Sequence, residues 1–152
     1  MYYPRTVSTS ATRRPISPFV AQELSTVGLQ ATVRDCLRYA VLARDAGYNR
    51  IEIMGSKGYL INQFLVAQTN QRDDEYGGDR FANRMWLDVE IVRDTREACG
   101  PDYAIISHLS LLDLVEGGST WEEVRALAQT LEDVCVTIFN TAIGWHEARI
   151  RE

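Results

Sequence analysis

Arg50–Gly78, RIEIMGSKGYLINQFLVAQTNQRDDEYGG, is the stretch whose reading decides the fold. Ile51 to Met54 forms a short strand whose apolar run is interrupted only by Glu52, which reads as a β-strand. A glycine-punctuated turn carrying Tyr59 follows, and then a long polar loop that ends in Gly77-Gly78. A reactive side chain just beyond the carboxyl end of a strand is where β/α enzymes keep their chemistry.

Working outward from this stretch, Val33, Cys36, Leu37, Ala40 and Ala43 recur at helical spacing. They predict a helix over 26–46, capped by Ser25 or Thr26 and stopped by Gly47 as a C′ glycine. On the other side, a helix is expected from about Asn83 to Ala98, with Met85, Trp86, Val89 and Val92 on one face and Gly100-Pro101 as its stop. Tyr103 to Leu109 then reads as a strand covered on both faces, because successive positions are apolar. Thr120 and Glu123 form a capping box for a third helix, whose stripe is Val124, Leu127, Ala128 and Leu131. Val136 to Thr141 is the last strand. The order is helix–strand three times over, with links long enough for parallel crossovers. The class is α/β, and residues 25–152 form one domain behind an irregular segment at 1–24.

That first segment has Arg5, Arg13 and Arg14 with no acidic residue before Glu23, a composition shared with organellar transit peptides. Pro4, Pro15 and Pro18 forbid the amphipathic helix such a peptide needs, so a loop is the preferred reading. Localisation stays open between cytoplasm and mitochondrion. A net charge of −5 offers nothing to nucleic acid or to an anionic membrane. No apolar run approaches the roughly 18 residues that span a bilayer. Cys36, Cys99 and Cys135 have no CxxC spacing, and His108 and His146 are too few to suggest a zinc site, so no metal is expected. The three cysteines are expected as buried, reduced thiols.

GYLINQFL, TNQRDDEYGGD, LSLLDLVEGG and IGWHEARI together resemble the flavin-binding barrel of 2,4-dienoyl-CoA reductases, in the Old Yellow Enzyme class of NADH:flavin oxidoreductases. The resemblance runs from about Phe19 to Ile150. It implies a partial (β/α)8 TIM barrel, the units around strands four to six, with FMN as cofactor and NAD(P)H as electron donor. It further implies Tyr59 as proton donor and His146 as the residue orienting an unsaturated acyl-CoA or other enoate. Gln68, Thr69, Asn70 and Gln71, together with Glu147, Ala148, Arg149 and Ile150, match the substrate-contact segments. His108 stands where the family places an arginine beside the flavin, and is the implied cofactor contact.

The chemistry is coherent. An ordinary phenol is neutral near pH 7 and can give a proton to a forming carbanion. A guanidinium stays cationic beside a reduced flavin, whereas an imidazole does so only when protonated, so flavin affinity and potential should both differ from the family's. Three units are fewer than the eight of a barrel of about 250 residues. The outer strands, the iron–sulfur segment and the FAD domain of the reductases are expected to be absent. Two function classes follow: a flavin-dependent reductase of a C=C bond, or a non-catalytic barrel fragment that associates through exposed sheet edges, with itself or with a partner.

Overall fold

The computed structural model describes residues 6–12 and 20–145. Its centre is a parallel sheet of three strands, β3 (Arg50–Gly55), β4 (Ala104–Leu112) and β5 (Ile138–Ile143), in the order β3-β4-β5. Ahead of them, β1 (Val7–Ser8) and β2 (Gln22–Glu23) pair with each other in parallel, so the segment read as irregular holds a small ladder of its own. Two-residue strands leave no periodicity to read.

The helices are α1 (Thr26–Asp45), α2 (Leu60–Leu65), α3 (Phe81–Arg84), α4 (Trp86–Cys99) and α5 (Trp121–Asp133). Ser25 caps α1 by accepting from the Gly28 N–H at 3.1 Å. The α5 start is a full capping box: Thr120 Oγ1 accepts from Glu123 N at 3.2 Å, while Thr120 N donates to Glu123 Oε2 at 2.9 Å. These contacts satisfy amide donors that a helix start otherwise leaves without partners. The expected helix at 83–98 is two pieces, α3 and α4, meeting at Met85, and its apolar face is rotated from the expected one. Leu87, Val89, Ile91 and Val92 are buried, while Trp86 is exposed and lies under the Arg93 guanidinium, 5.4 Å from its ring centre.

The helices cover one face of the sheet. Ile53, Ile105 and Leu109 point into a core shared with Leu29 and Val33 of α1, Leu87 and Val92 of α4, and Leu127 and Leu131 of α5. On the opposite face the register aligns Met54 with His108 and His108 with Asn140. Burial along β4 alternates from Ala104 to Leu109, so the strand expected to be covered on both faces has one packed face and one half-open face. The strand also runs on to Leu112, with a bulge: Ser110 pairs with Ala142 and Leu112 with Ile143, leaving Leu111 as the extra residue.

The cysteines depart from expectation too. Cys99 is buried beside Ala40 and Tyr103 and Cys36 is half-buried, but Cys135 is exposed. Cys135 has φ +69, at the position after the α5 C-cap where glycine is preferred.

Candidate functional site

The site is built at the carboxyl ends of the strands. After β3 the chain makes a four-residue turn, Ser56 to Tyr59, closed by the Tyr59 N–H donating to the Ser56 carbonyl at 3.2 Å. Both central residues are left-handed, Lys57 at φ +58 and Gly58 at φ +80, which is the signature of a type I′ turn. A non-glycine residue in this region costs ~1–2 kcal/mol, so the turn persists only because its surroundings fix it. Tyr59 is the N-cap of α2 and its side chain is 56% exposed.

Tyr59 opens onto a cavity of about 890 Å³ along the outer edge of β3. Cys36 and Ala40 of α1, Met54 and Glu52 of β3, and Ile91 of α4 line much of it. The wall is chiefly apolar, with Thr32, Tyr39, Glu52, Tyr59 and Thr95 as its polar groups, which suits an organic ligand held by a few directed contacts. Deeper in the helix layer, beside Gly55, Asp88 is fully buried and neither carboxylate oxygen has a hydrogen-bond partner among the described residues. Burial pushes its carboxyl up to about 7.

On the open face of the sheet, Glu52 joins three strands. Its Oε1 lies 3.1 Å from His108 Nδ1 and accepts from Asn140 Nδ2 at 2.7 Å. With Nδ1 turned to Glu52, Nε2 is the atom His108 offers to a ligand. There it accepts from an N–H, such as that of a flavin pyrimidine edge, when the ring is neutral, and donates to a carbonyl oxygen only when the ring is protonated. Among the described residues no group of three His, Cys, Asp or Glu is placed to hold a metal ion. None of the described helices is long and apolar enough to cross a membrane.

The remaining residues singled out from the sequence divide. Thr69 and Asn70 are buried, and their side chains serve the loop itself. Thr69 Oγ1 bonds the Val66 carbonyl at 3.0 Å, and Asn70 Nδ2 bonds the Phe64 and Tyr76 carbonyls at 2.7 Å each. Gln68 and Gln71 are exposed on either side of them. Gly117, in the loop after β4, approaches Gln68 so closely that a Cβ there would lie 3.3 Å from the Gln68 Cβ. His146, Glu147, Ala148, Arg149 and Ile150 lie outside the described residues. Sequence reasoning missed α2, Asp88 and the Glu52 bridge. The one available signal was Glu52 itself, an acidic residue inside an apolar strand.

Parallel strands with helices packed on one face, and a turn carrying Tyr59 past the carboxyl end of β3, define a β/α unit. The chain belongs to the NADH:flavin oxidoreductase / NADH oxidase family, whose sequence model matches residues 4–152. It is 39% identical over 128 residues to a metal reductase of Desulforamulus reducens, covering 84% of this chain and 19% of that protein. It is 38% identical over 127 residues to an NADH oxidase of Thermoanaerobacter brockii, with 84% and 19% covered. An NADPH dehydrogenase of Listeria welshimeri is 34% identical over 122 residues, covering 80% of this chain and 35% of that one.

Among solved structures, a 2-naphthoyl-CoA reductase in complex with 2-naphthoyl-CoA superposes with a TM-score of 0.89 at 32% identity, covering 95% of this chain and 22% of that one. The Old Yellow Enzyme homologue from Zymomonas mobilis gives 0.81 at 27% identity, covering 91% and 42%. The chain thus spans about a fifth to two-fifths of the length of these relatives. Its sheet and helices have the form of part of the barrel of such enzymes.

Proposed function

We propose that this chain carries the acid side of an FMN-dependent, NAD(P)H-driven reduction of a C=C bond conjugated to an acyl-CoA thioester, as in the 2,4-dienoyl-CoA reductases it resembles. The observation that carries the reading is Tyr59: a half-exposed phenol on a strained turn at the carboxyl end of β3, opening onto a largely apolar cavity. FMN, when bound, supplies the hydride to the far end of the conjugated system. Tyr59 gives its proton to the carbon nearer the thioester, so that two electrons and two hydrogens enter the substrate. His146 orients the thioester carbonyl as negative charge gathers on its oxygen.

His108, steadied by Glu52, is the residue this chain offers to the flavin ring. Gln68 and Gln71 are exposed for polar contact with substrate, and Thr69 and Asn70 shape the loop between them. Glu147 to Ile150 complete the substrate-contact set, with Arg149 suited to an anionic part of a CoA ester through its forked donors. An acyl thioester is also the ligand of the naphthoyl-CoA reductase whose structure this chain matches, which supports a thioester over a simple enone.

The test is the purified chain with added FMN: retained flavin, and dithionite- or NADPH-driven reduction of a dienoyl-CoA. Tyr59→Phe should lower that rate by ~10²- to 10⁴-fold. Absence of flavin retention and of turnover would overturn the proposal.

A second reading rests on the open face and edges of the sheet. Ile138 and Ile143 of β5 and Met54 of β3 are exposed apolar side chains on strands whose outer edges lack a neighbour among the described residues. Such edges suit a non-catalytic barrel unit that pairs with another chain. Light scattering with flavin absorbance separates the two readings: a flavin-free chain, alone or paired, argues for the fragment, and a closed flavin-bearing assembly against it.

A further inference from the structure

Gly58 lies at the centre of a clasp that no part of the reaction requires directly. Its N–H donates to Asn62 Oδ1 at 2.8 Å, and its carbonyl accepts from Gln63 Nε2 at 2.8 Å. The second of these peptide groups is the one that joins Gly58 to Tyr59. Asn62 is completely buried, and its Nδ2 faces Asp113 Oδ1 at 3.4 Å. Asp113 is itself buried in the loop after β4, where its other oxygen accepts from Ser119 N at 2.9 Å. Gln63 Oε1 in turn accepts from Ser8 Oγ at 2.8 Å, tying the turn to β1. The left-handed turn is therefore held from two sides by adjacent amide side chains of α2, each anchored to a different part of the chain.

We infer that Asn62 is a positioning residue for Tyr59, and that through Asp113 it locks the loop after β4 to the turn that presents the phenol. The inference rests on the proposed role of Tyr59. A turn with a residue at φ +58 has no intrinsic preference for this shape, and an acid misplaced by about 1 Å can cost on the order of 10²-fold in rate. A buried amide is the side chain the place demands: one acceptor for a peptide N–H and one donor for a carboxylate, which neither Asp nor Leu supplies together. Asn62→Asp would keep the acceptor for Gly58 and set a second buried carboxylate against Asp113, a like-charge pair. Combining it with Asp113→Asn restores a donor opposite an acceptor with the roles exchanged.

The experiment uses the full chain loaded with FMN and a dienoyl-CoA. Asn62→Asp should lower kcat by ~10- to 100-fold with KM changed less than about 2-fold and flavin affinity unchanged, and the Asn62→Asp/Asp113→Asn pair should regain most of it. In the unmodified protein the Gly58 amide should exchange with solvent as slowly as the core amides of β4. A double variant as stable as the parent that regains no kcat overturns the inference, as does a rapidly exchanging Gly58 amide. Should the single variant not fold, the exchange measurement and the double variant still decide. If Tyr59→Phe leaves the rate intact while Gly58 is protected and the double variant folds, the role of Tyr59 fails and the clasp stands as an anchor of the turn alone, which ends the inference as stated.

Discussion

The segment from Ser56 to Gly78 and the open face of the sheet are built in opposite ways, although both carry residues of the candidate site. In the loop, the buried polar groups are met, and Gln68 and Gln71 alternate with them at the surface. Arg72 has a side chain 3% exposed, donates to the carbonyls of Thr9 and Leu24 at 3.0 and 2.5 Å, and pairs with Asp74. Its hydrogen bond holds the Asp74 carboxyl below the usual carboxylate range. Gly77 is pressed against this guanidinium-bearing residue: a Cβ there would lie 2.5 Å from the Arg72 Cβ, which no side chain tolerates. On the open face, Glu52, Met54, Ile138 and Asn140 are exposed, and the Glu52 bridge joins Asn140 to His108. Tyr59, the proposed acid, thus stands on a segment whose buried polar groups are met, whereas the open face is left for contacts from elsewhere.

Substitutions can break or sharpen that contrast. Arg72→Met should have the largest effect, a loss of about 3–5 kcal/mol in urea unfolding, because it leaves Asp74 and two carbonyls without their buried cation. Asp88 tests whether the helix layer tolerates one unmet group. Its folded carboxyl titrates at about 7, above its ordinary value of 3.8, so the folded state holds the proton more tightly than the unfolded one. The stability this contributes is complete below pH 3.8 and is lost as pH rises toward and through 7, by up to about 1.4 kcal/mol per pH unit. Asp88→Asn should remove that slope and raise the unfolding midpoint at pH 8 relative to the parent, measured side by side across the window.

Smaller effects lie at the ends of the elements. Cys135→Gly should stabilise by ~1 kcal/mol, since it relieves a left-handed residue at φ +69 without removing a buried side chain. Ile138→Thr, on the open face, should shift stability by no more than about 0.5 kcal/mol in the same assay. A loss as large as that of Arg72→Met would show that this face is packed in solution.

Much of the architecture was legible because it rests on local patterns. Ser25 and Gly47 bracket α1, Thr120 and Glu123 start α5, and the alternation of helix and strand implied a parallel sheet. The misses are physical too. Six residues of α2 are too few to show a period, and its N-cap Tyr59 supplies no capping side chain to mark the start. Trp86 looks like core until Arg93 stacks on it at the surface. At the candidate site, Tyr59 and His108 stood out as residue types near strand ends and Asn70 as an implied substrate contact, whereas the burial of Asn62 and Asn70 leaves no trace in a single sequence. The Glu52 bridge depends on register across three strands, which only the folded sheet sets.

The extra residue in β4 has a geometric consequence of its own. A bulge shortens one strand against its neighbour and increases the local twist, so the sheet is already bent where Leu111 is inserted between Ser110 and Leu112. Leu111 stands two residues before Asp113, so the bulge sits where the chain leaves β4 for the loop that sets Asp113 against Asn62. Deleting Leu111 should restore a regular β4–β5 register and shift Asp113 against Asn62, read as faster solvent exchange of the Gly58 amide.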